Sequence, residues 1–524
     1  MIFASVISPS LHRLLPLLVF ACAPVEEEPV AVADDPPVAE WVWIDAQMAW
    51  GTWGDERLAL ARREDRPILI YFAAPGCEGL FPTPSPALRQ LVEEDFVSVR
   101  VDPFKRPDIA RHYDAGGWPA LVMALPDGQV FARAVDIPPP NVEAYLRRLA
   151  LAYEEKRAVL VDKVRRAATR QKEHPRLEVT AVYRACAATF DSTHGGFGGP
   201  TKFLEAPVLR FLLAYAETRG VVRAQQMARQ SLDAVLDSPL GDGGGFRAYS
   251  HTPDWRAPAR ERDALDQAAM LHLLLEARQP RYIAAARALF DFVERDLYDA
   301  SAGAFRGRQV GTGTSWWTDP TLYADRQAAL ITACLAVAEA LGDVAEMGAS
   351  PSVSKMGAAH SDAAPAAQRA AQVALYAGDA LIAHCIDADG GVRHICGADD
   401  GGVTGLLVDQ AAAALALWEL REWSGASRFA KAAERVAHFM EQQLGGSSAF
   451  YNRVAAGGLL PRFFSHRDDG RPAGNALALE FYGRRKDAER LAALAGGPRL
   501  APDRAYGSWA RAVLRYGETA GTSL

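Results

Sequence analysis

Three apolar runs of strand length lie in the first third of the chain. They are Ile68–Phe72, Phe96–Asp102 and Ala120–Leu125. The first is apolar at every position, which predicts a strand buried on both faces of a sheet. Polar, helix-compatible tracts separate the runs, and Asp127–Gly128 ends the third run with a hairpin turn signal. The pattern predicts an α/β domain.

One cysteine and one proline occupy special places in this domain. Cys77 follows the first strand after a short turn, and Pro119 directly precedes the third strand. Strand, cysteine turn, helix, strand and X-Pro-strand are the order of the thioredoxin fold, in which Pro119 is expected to be cis. A dithiol enzyme needs a second thiol one helical turn after the first, but that position is Leu80. We predict a thioredoxin-like domain over residues 46–150 with Cys77 as a redox remnant, either a monothiol nucleophile or an idle thiol.

From about Leu177 the apolar spacing becomes helical and remains so. About a dozen helical segments follow one another, with no convincing strand pair between them. Every second helix ends in an acidic or Gly-rich turn closed by an apolar residue, as in Gly195–Phe197 and Gly244–Phe246. The period of about 50–60 residues is stretched once by an Ala/Ser-rich insertion, 346–367, which we predict to be disordered. Such repeats predict a closed (α/α)6 toroid over residues 170–520, with a linear helical solenoid as the alternative.

The N-terminal segment has the proportions of a signal peptide. Leu14–Ala21 is apolar but too short to span a bilayer, and it leads to Cys22 in a sequence close to a bacterial lipobox. We expect residues 1–22 to direct export and Cys22 to be lipidated. Residues 23–45 are rich in proline and acidic residues, which predicts a flexible tether. The expected location is the cell envelope, with the lipid as the only membrane attachment; a secreted or periplasmic form is the alternative.

Composition narrows the functional classes. The net charge of −7 over 524 residues argues against a nucleic-acid partner. Six cysteines are too few for a disulfide scaffold, and only Cys385 and Cys396 are near neighbours that could form a bridge. There is no P-loop, GxGxxG, nucleophile elbow, HExxH or paired CxxC motif, so we expect neither a cofactor nor a metal.

Several separate motifs occur in the order of one known family. These are Arg106–Ile109, Gly116–Pro119, Gly195–Gly198 with Lys202–Phe203, Gly244–Arg247 with Tyr249 and Trp255, Asp409–Ala411, and Arg471–Asn475. They resemble the RPDI, GGWP, GGFG…KF, GGFHRY…W, DDYA and PSGN segments of the thioredoxin-domain proteins related to spermatogenesis-associated protein 20. The resemblance implies a thioredoxin-like domain followed by a six-hairpin glycosidase-like toroid. The family's C-H-W-C-H is Cys77–Phe81 here, which implies that dithiol activity is lost.

The resemblance also implies where ligand chemistry should lie. Related toroids bind or transform sugars in a funnel lined by the Gly-rich loops, and sugar sites combine aromatic faces with carboxylates and other polar groups. The candidate ligand-binding residues are Lys202, Arg247, Tyr249, Asp254, Trp255 and Asp409. Glu261 and Asp266 are the candidate catalytic acids, although five residues of separation on one helix would point them in different directions. A structural role in the loops is the alternative for each of these residues.

Histidines offer another form of proton-transfer chemistry. An epimerase or isomerase commonly uses a histidine base, and His194, His251 and His394 lie in predicted loops without a visible partner. We therefore expect an envelope-anchored protein whose toroid binds or transforms a carbohydrate-like ligand. If it is an enzyme, it should be a hydrolase or epimerase. The thioredoxin-like domain is expected to be a structural module or a docking module for a protein partner. The alternatives are a monothiol redox protein acting through Cys77 and a non-catalytic scaffold.

Overall fold

The computed structural model describes the chain from Met48 to Gly517, apart from residues 76–79, 82–83, 114–115, 136, 169–175, 313–314, 349–362, 398–401, 447, 456–459, 461 and 469–470. The predicted signal peptide, lipidation site Cys22, tether and Cys77 lie outside the described residues. The chain forms two compact units. The first consists mainly of residues up to 172, and the second of residues from 173 onward.

The first unit is a five-stranded sheet with helices. Its elements are β1 Gly51–Thr52, α1 Asp55–Glu64, β2 Ile68–Phe72, α2 Pro86–Asp95, β3 Val97–Val101, α3 Pro107–Tyr113, β4 Ala120–Ala124, β5 Val130–Val135 and α4 Pro139–Ala168. The strand order is β1-β3-β2-β4-β5; β3 is parallel to β1 and β2, while β4 is antiparallel to β2 and β5. The Trp118–Pro119 peptide bond before β4 is cis. The thioredoxin-like fold is confirmed.

The central strand β2 is buried at all five positions. Leu69 and Tyr71 pack into one hydrophobic cluster, and Ile68, Ile70 and Phe72 pack into another on the opposite face. This division follows from the period of two along a strand. Because both faces are covered, the strand has no position for a polar side chain, which explains its unbroken apolar run.

The described part of the second unit contains twelve α-helices. They are α5 Val179–Thr189, α6 Ala206–Arg219, α7 Val222–Leu236, α8 Ala264–Glu276, α9 Pro280–Phe292, α10 Ala324–Gly348, α11 Ala363–Cys385, α12 Leu407–Ser424, α13 Ser427–Phe439, α14 Gly474–Arg485, α15 Ala488–Ala495 and α16 Gly507–Tyr516. Single π-helical turns extend α9 to Leu297 and α13 to Leu444.

The even-numbered helices form a closed inner ring. Each contacts the next, from α6 through α8, α10, α12 and α14 to α16, and α16 contacts α6. That last contact joins the two ends of the helical region, which confirms the (α/α)6 toroid and excludes an open superhelix. Alanine and leucine fill the inner ring, and α12 buries almost every residue from Leu407 to Leu417. No helix in the described part of the chain is both long enough and apolar enough to cross a bilayer.

A side-chain amide fixes each of four Gly-rich loops to the helix that follows it. Gln267, the fourth residue of α8, accepts a hydrogen bond from the Phe246 N–H and donates one to the Phe246 carbonyl, both at 2.8 Å. Gln327 on α10 bonds Phe305 in the same way, and Asn475 on α14 bonds Phe450. Gln410 on α12 bonds Val392 and Gly390. The repeating glycine-rich turns are therefore held by these amides, because the buried N–H and carbonyl groups of each loop need hydrogen-bond partners.

The loops also contain strands that the sequence analysis did not predict. They are β6 Lys202–Phe203, β7 Gly241–Asp242, β8 Gly245–Phe246, β9 Tyr249–Ser250, β10 Glu261–Asp263, β11 Tyr298–Asp299, β12 Ala304–Phe305, β13 Arg308–Thr312 and β14 Ser315–Asp319. The expectation of no strand pair was wrong. Strands of two to five residues are too short to show an alternating pattern.

Two further features bear on the predictions. Helices α10 and α11 extend into the predicted insertion 346–367 from both sides, and residues 349–362 lie outside the described part. Cys385 at the end of α11 forms a disulfide with Cys396 in the following loop.

Candidate functional site

The mouth of the toroid is the end at which the inner helices begin. Each long loop joins an outer helix to the N-terminal end of the next inner helix, so these loops gather at one end of the ring. A cavity of about 1810 Å³ extends along the inner helices, and Leu265, Asp325 and Arg471 line it at the mouth. Ionisable side chains from several elements meet at this end.

Asp263 forms the centre of this group. It is the N-cap of α8, since its Oδ1 accepts a hydrogen bond from the Leu265 N–H at 2.8 Å. Its Oδ2 accepts hydrogen bonds from Arg326 at 2.8 Å and Arg471 at 2.9 Å. Burial alone would raise the pKa of Asp263, but the two guanidinium charges hold it below the usual value.

Glu261 and Asp266 flank this ionised carboxylate. Burial raises the pKa of Asp266 to about 8, and the charges of Asp263 and Glu261 add to that effect. Burial also raises the pKa of Glu261, against the attraction of Arg308, whose Nη1 lies 3.7 Å from Oε2. Both side chains remain partly exposed. A pKa of about 8 favours the protonated form of Asp266 at neutral pH, and part of this residue remains exposed.

The two candidate acids do not share a helix. Glu261 lies on β10, while Asp266 lies in the first turn of α8. The strand ends at the N-cap residue Asp263, so the chain changes direction between the two acids. Their separation of five residues therefore does not point the two carboxyl groups in different directions, as it would on a single helix.

A second set of contacts extends from Glu261 along the sheet. Arg308 on β13 is buried and lies 3.7 Å from Asp319 as well as from Glu261. The Tyr323 hydroxyl donates a hydrogen bond to Asp319 at 3.3 Å. The Arg326 guanidinium lies 4.3 Å from the centre of the Tyr323 ring. These contacts join β10, β13, β14 and the start of α10 into one charged network.

A third group lies on the other side of Arg326. Arg326 donates a hydrogen bond of 3.0 Å to Asp325, its neighbour in the first turn of α10. His394 Nδ1 lies 3.1 and 3.0 Å from the two carboxylate oxygens of Asp409. Asp325, His394 and Asp409 are all buried, and one ligand atom of each lies within 4.8 Å of the others. His394, which had no visible partner in the sequence, is therefore paired with Asp409.

Two predicted ligand-binding residues are enclosed by the loops instead. Lys202 is fully buried and donates a hydrogen bond of 2.8 Å to Asp191. Trp255 is 2% exposed, and its Nε1–H donates a hydrogen bond to the His194 carbonyl. Both side chains fix the loop around His194, which is a structural role.

The remaining predicted residues lie at the loop surface. Arg247 bonds Asp242 and lies 5.1 Å from the Trp316 ring, while Tyr249 is half-buried against Phe203. Asp254 is exposed, and its carboxylate accepts hydrogen bonds from within its own loop, chiefly from the Thr252 hydroxyl, which lowers its pKa. All three side chains belong to the loop between α7 and α8.

Sequence reasoning did not select four of the central residues. They are Asp263, Arg308, Arg326 and Asp325. The sequence does contain one signal for a charged residue at the mouth, which is its position directly before an anchoring amide. The residues at this position are Asp266, Arg326 and Asp409, which precede Gln267, Gln327 and Gln410.

Comparisons with known proteins give one matching family model and several curated relatives. Residues 42–172 match the Thioredox_DsbH family, described as a protein of unknown function, DUF255. Human spermatogenesis-associated protein 20 is 27% identical over 298 residues, which cover 49% of this chain and 38% of that protein. The mouse protein is 26% identical over the same coverage. The match thus spans less than half the length of these curated relatives.

Solved structures similar to the chain include sugar-converting enzymes. Cellobiose 2-epimerase from Spirochaeta thermophila has a TM-score of 0.48 and 13% identity, with 65% of this chain and 94% of that chain covered. A D-mannose isomerase has a TM-score of 0.48 and 10% identity, with 66% and 96% covered.

Proposed function

We propose that this chain, a diverged relative of the proteins related to spermatogenesis-associated protein 20, binds a carbohydrate-like ligand at the mouth of its toroid. We propose further that it donates a proton to that ligand from Asp266. The proposal rests on the mouth residues, because one fold can support many unrelated functions. The observation that carries it is the meeting of Glu261, Asp263, Asp266, Arg326 and Arg471 from separate elements at the mouth, where Arg471 also lines the cavity.

This arrangement suits a polyhydroxylated ligand. Carboxylates accept hydrogen bonds from hydroxyl groups and guanidinium groups donate them, so the cluster can serve several hydroxyls at once. The partly exposed rings of Tyr249, Trp316 and Trp317 can cover the apolar faces of a sugar ring. The cavity of about 1810 Å³, which reaches the mouth at Leu265, Asp325 and Arg471, exceeds the roughly 300–1,000 Å³ typical of small-ligand sites.

The proposed chemistry is general acid catalysis. A carboxyl group that keeps its proton at neutral pH can donate it to a glycosidic or carbonyl oxygen. Glu261 supplies a second carboxyl group with a raised pKa on the adjacent strand. Asp263 stays ionised between two arginines and therefore positions the ligand instead of donating a proton.

Saccharide binding provides the test. The full chain is titrated with a panel of mono- and oligosaccharides by calorimetry and thermal shift, together with Asp266→Asn and the matched exposed variant Asp254→Asn. We expect at least one saccharide to bind the wild type, Asp254→Asn to behave like it, and any conversion of that saccharide to be lost in Asp266→Asn. A panel without a binder, or unchanged conversion by Asp266→Asn, would contradict the proposal.

We make two further proposals, one for the thioredoxin-like unit and one for the N-terminal segment. The thioredoxin-like unit serves as a structural or docking module for a protein partner without dithiol exchange, so Cys77→Ser should retain full saccharide binding. Lipidation at Cys22 holds the protein in the envelope, and Cys22→Ser should release it from the membrane fraction. A Cys22→Ser protein that still sediments with membranes would oppose this location.

A further inference from the structure

We propose that Asp325, His394 and Asp409 form a binding site for a divalent transition-metal ion. The three residues come from different elements: the first turn of α10, the loop between α11 and α12, and the first turn of α12. The sequence predicted no metal because it contains no HExxH or paired CxxC motif. The packing of the neighbouring inner helices α10 and α12 brings them together.

The distances suit a single small ion. Ligand atoms that hold one ion through bonds of about 2.0–2.2 Å lie roughly 3–3.6 Å from each other. His394 Nδ1 is 3.0 Å from one oxygen of Asp409 and 3.1 Å from the other. One ligand atom from each of the three residues lies within 4.8 Å of the others. A contraction of at most about 1–2 Å would bring all three ligand atoms within bonding distance of one ion.

The charges of the cluster also favour a cation. Asp325 and Asp409 are 5% and 0% exposed, so both carboxylates have lost most of their contact with water. The Arg326 guanidinium, which bonds Asp325, also bonds Asp263 and is therefore shared. A divalent ion would place two positive charges against the two carboxylates.

The position of His394 is fixed before any ion arrives. Its backbone N–H donates to the Val403 carbonyl and its own carbonyl accepts from the Ala324 N–H, both at 2.9 Å. Two residues later, Cys396 is tied to Cys385 by the disulfide. The Arg326 contact with Asp325 orients a carboxylate in the same manner. Ligands held by such outer contacts bind metals without reorganising a loop.

The donor set indicates the class of ion. One imidazole nitrogen and the oxygens of two carboxylates suit Zn²⁺ or Mn²⁺, whereas Ca²⁺ prefers about six to eight oxygens. Asp325 also lines the toroid cavity, so a remaining coordination position can face that space. Three protein ligands with an open position are typical of metal sites that take part in reactions rather than closed structural sites.

Metal binding can be measured without any saccharide. The full chain is stripped with EDTA and titrated with Zn²⁺ and with Mn²⁺ by calorimetry, and thermal denaturation is followed with and without each ion. We expect one ion per chain and a rise in the melting temperature. Because no sugar is present, failure here leaves the saccharide proposal intact, and failure to bind saccharides leaves this one intact.

Matched variants locate the site. Asp325→Asn, His394→Gln and Asp409→Asn should each weaken binding at least about tenfold. Glu419→Gln and His272→Gln replace an acid and a histidine that line the same cavity outside the cluster, and they should bind like the wild type. Equal binding by all five variants would place the ion elsewhere and overturn the proposal.

A spectroscopic measurement on the wild type covers variants that fail to fold. Co²⁺ added to the stripped protein should give the intense visible bands of a four- or five-coordinate centre with nitrogen and oxygen ligands. Zn²⁺ should remove these bands at one equivalent. The absence of such bands together with no calorimetric binding of Zn²⁺ or Mn²⁺ would overturn the proposal without any substitution.

Discussion

Replacing Asp266 by Asn should make the toroid less sensitive to pH. The pKa of this carboxyl is about 8 in the folded protein, against an ordinary value of 3.8. Because the folded state holds the proton more tightly than the unfolded state, the stabilisation is complete below about pH 4 and is lost as the pH rises toward 8. Asn mimics the protonated form and cannot ionise, so the variant avoids this loss.

The size of the effect follows from proton linkage. A difference of one bound proton changes the free energy of unfolding by about 1.36 kcal/mol per pH unit. Between about pH 5 and pH 7 this gives at most about 2.7 kcal/mol for the wild type. Because Asp266 is partly exposed, solvent screening reduces this value. Between pH 5 and pH 7 we therefore expect the free energy of unfolding of Asp266→Asn to rise by about 1–2 kcal/mol relative to that of the wild type.

Urea unfolding at several pH values measures this gain. Wild type and Asp266→Asn are compared at about pH 5, 6 and 7, with Asp254→Asn as the control. Asp254 is an exposed carboxyl whose pKa is lowered by the Thr252 hydroxyl, so its replacement should give no gain at neutral pH. If the free-energy difference between Asp266→Asn and wild type is the same at pH 5 and pH 7, Asp266 does not hold a proton and the reasoning is refuted.

Two further substitutions test what holds the mouth loops. Gln267→Ala leaves the buried N–H and carbonyl of Phe246 without this partner, so we expect the free energy of unfolding in urea to fall by about 2–4 kcal/mol. Replacing the exposed Gln226 by Ala should change it little. An equal loss in both variants would contradict the prediction. The disulfide between Cys385 and Cys396 closes a separation of 11 residues, so replacing both by Ser should cost about 2–3 kcal/mol. Reducing the wild type should lower its melting temperature to that of the double variant, and an unchanged melting temperature would contradict the prediction.

The sequence predicts the helices and strands better than it predicts that the helical hairpins close into a ring. An apolar run such as Ile68–Phe72 determines strand burial locally, and the helical period from Leu177 onward is equally local. Whether repeated hairpins form a ring or a solenoid depends on contacts between the first and last inner helices. The contact of α16 with α6 joins residues about 300 positions apart, as in the ion pair of Glu205 with Arg504. No pattern within a single repeat can specify that contact.

The candidate site was predictable only in part for a related reason. Glu261, Asp266 and Asp409 stand out because they accompany repeated motifs, but Arg308 and Arg326 are single charges within unremarkable segments. Their importance comes from neighbours that the ring supplies. Lys202 and Trp255 show the opposite case, since they occur in a recognisable loop motif yet serve the loop itself. A motif thus indicates that a residue is important, but it does not show whether the residue stabilises the structure or takes part in the chemistry.

The anchoring amides explain why the charged residues converge. Each amide must reach the preceding loop from the first turn of its helix, so the residue just before it is held in that turn at the mouth. On three consecutive inner helices that position is Asp266, Arg326 and Asp409, whereas α14 has Gly474 before Asn475. The site consequently lies on the side of the mouth formed by α8, α10 and α12, and Arg471 reaches it from the loop before α14. The repeat that builds the ring thereby also places the charged residues, and divergence at this one position of each repeat can change the chemistry without changing the fold.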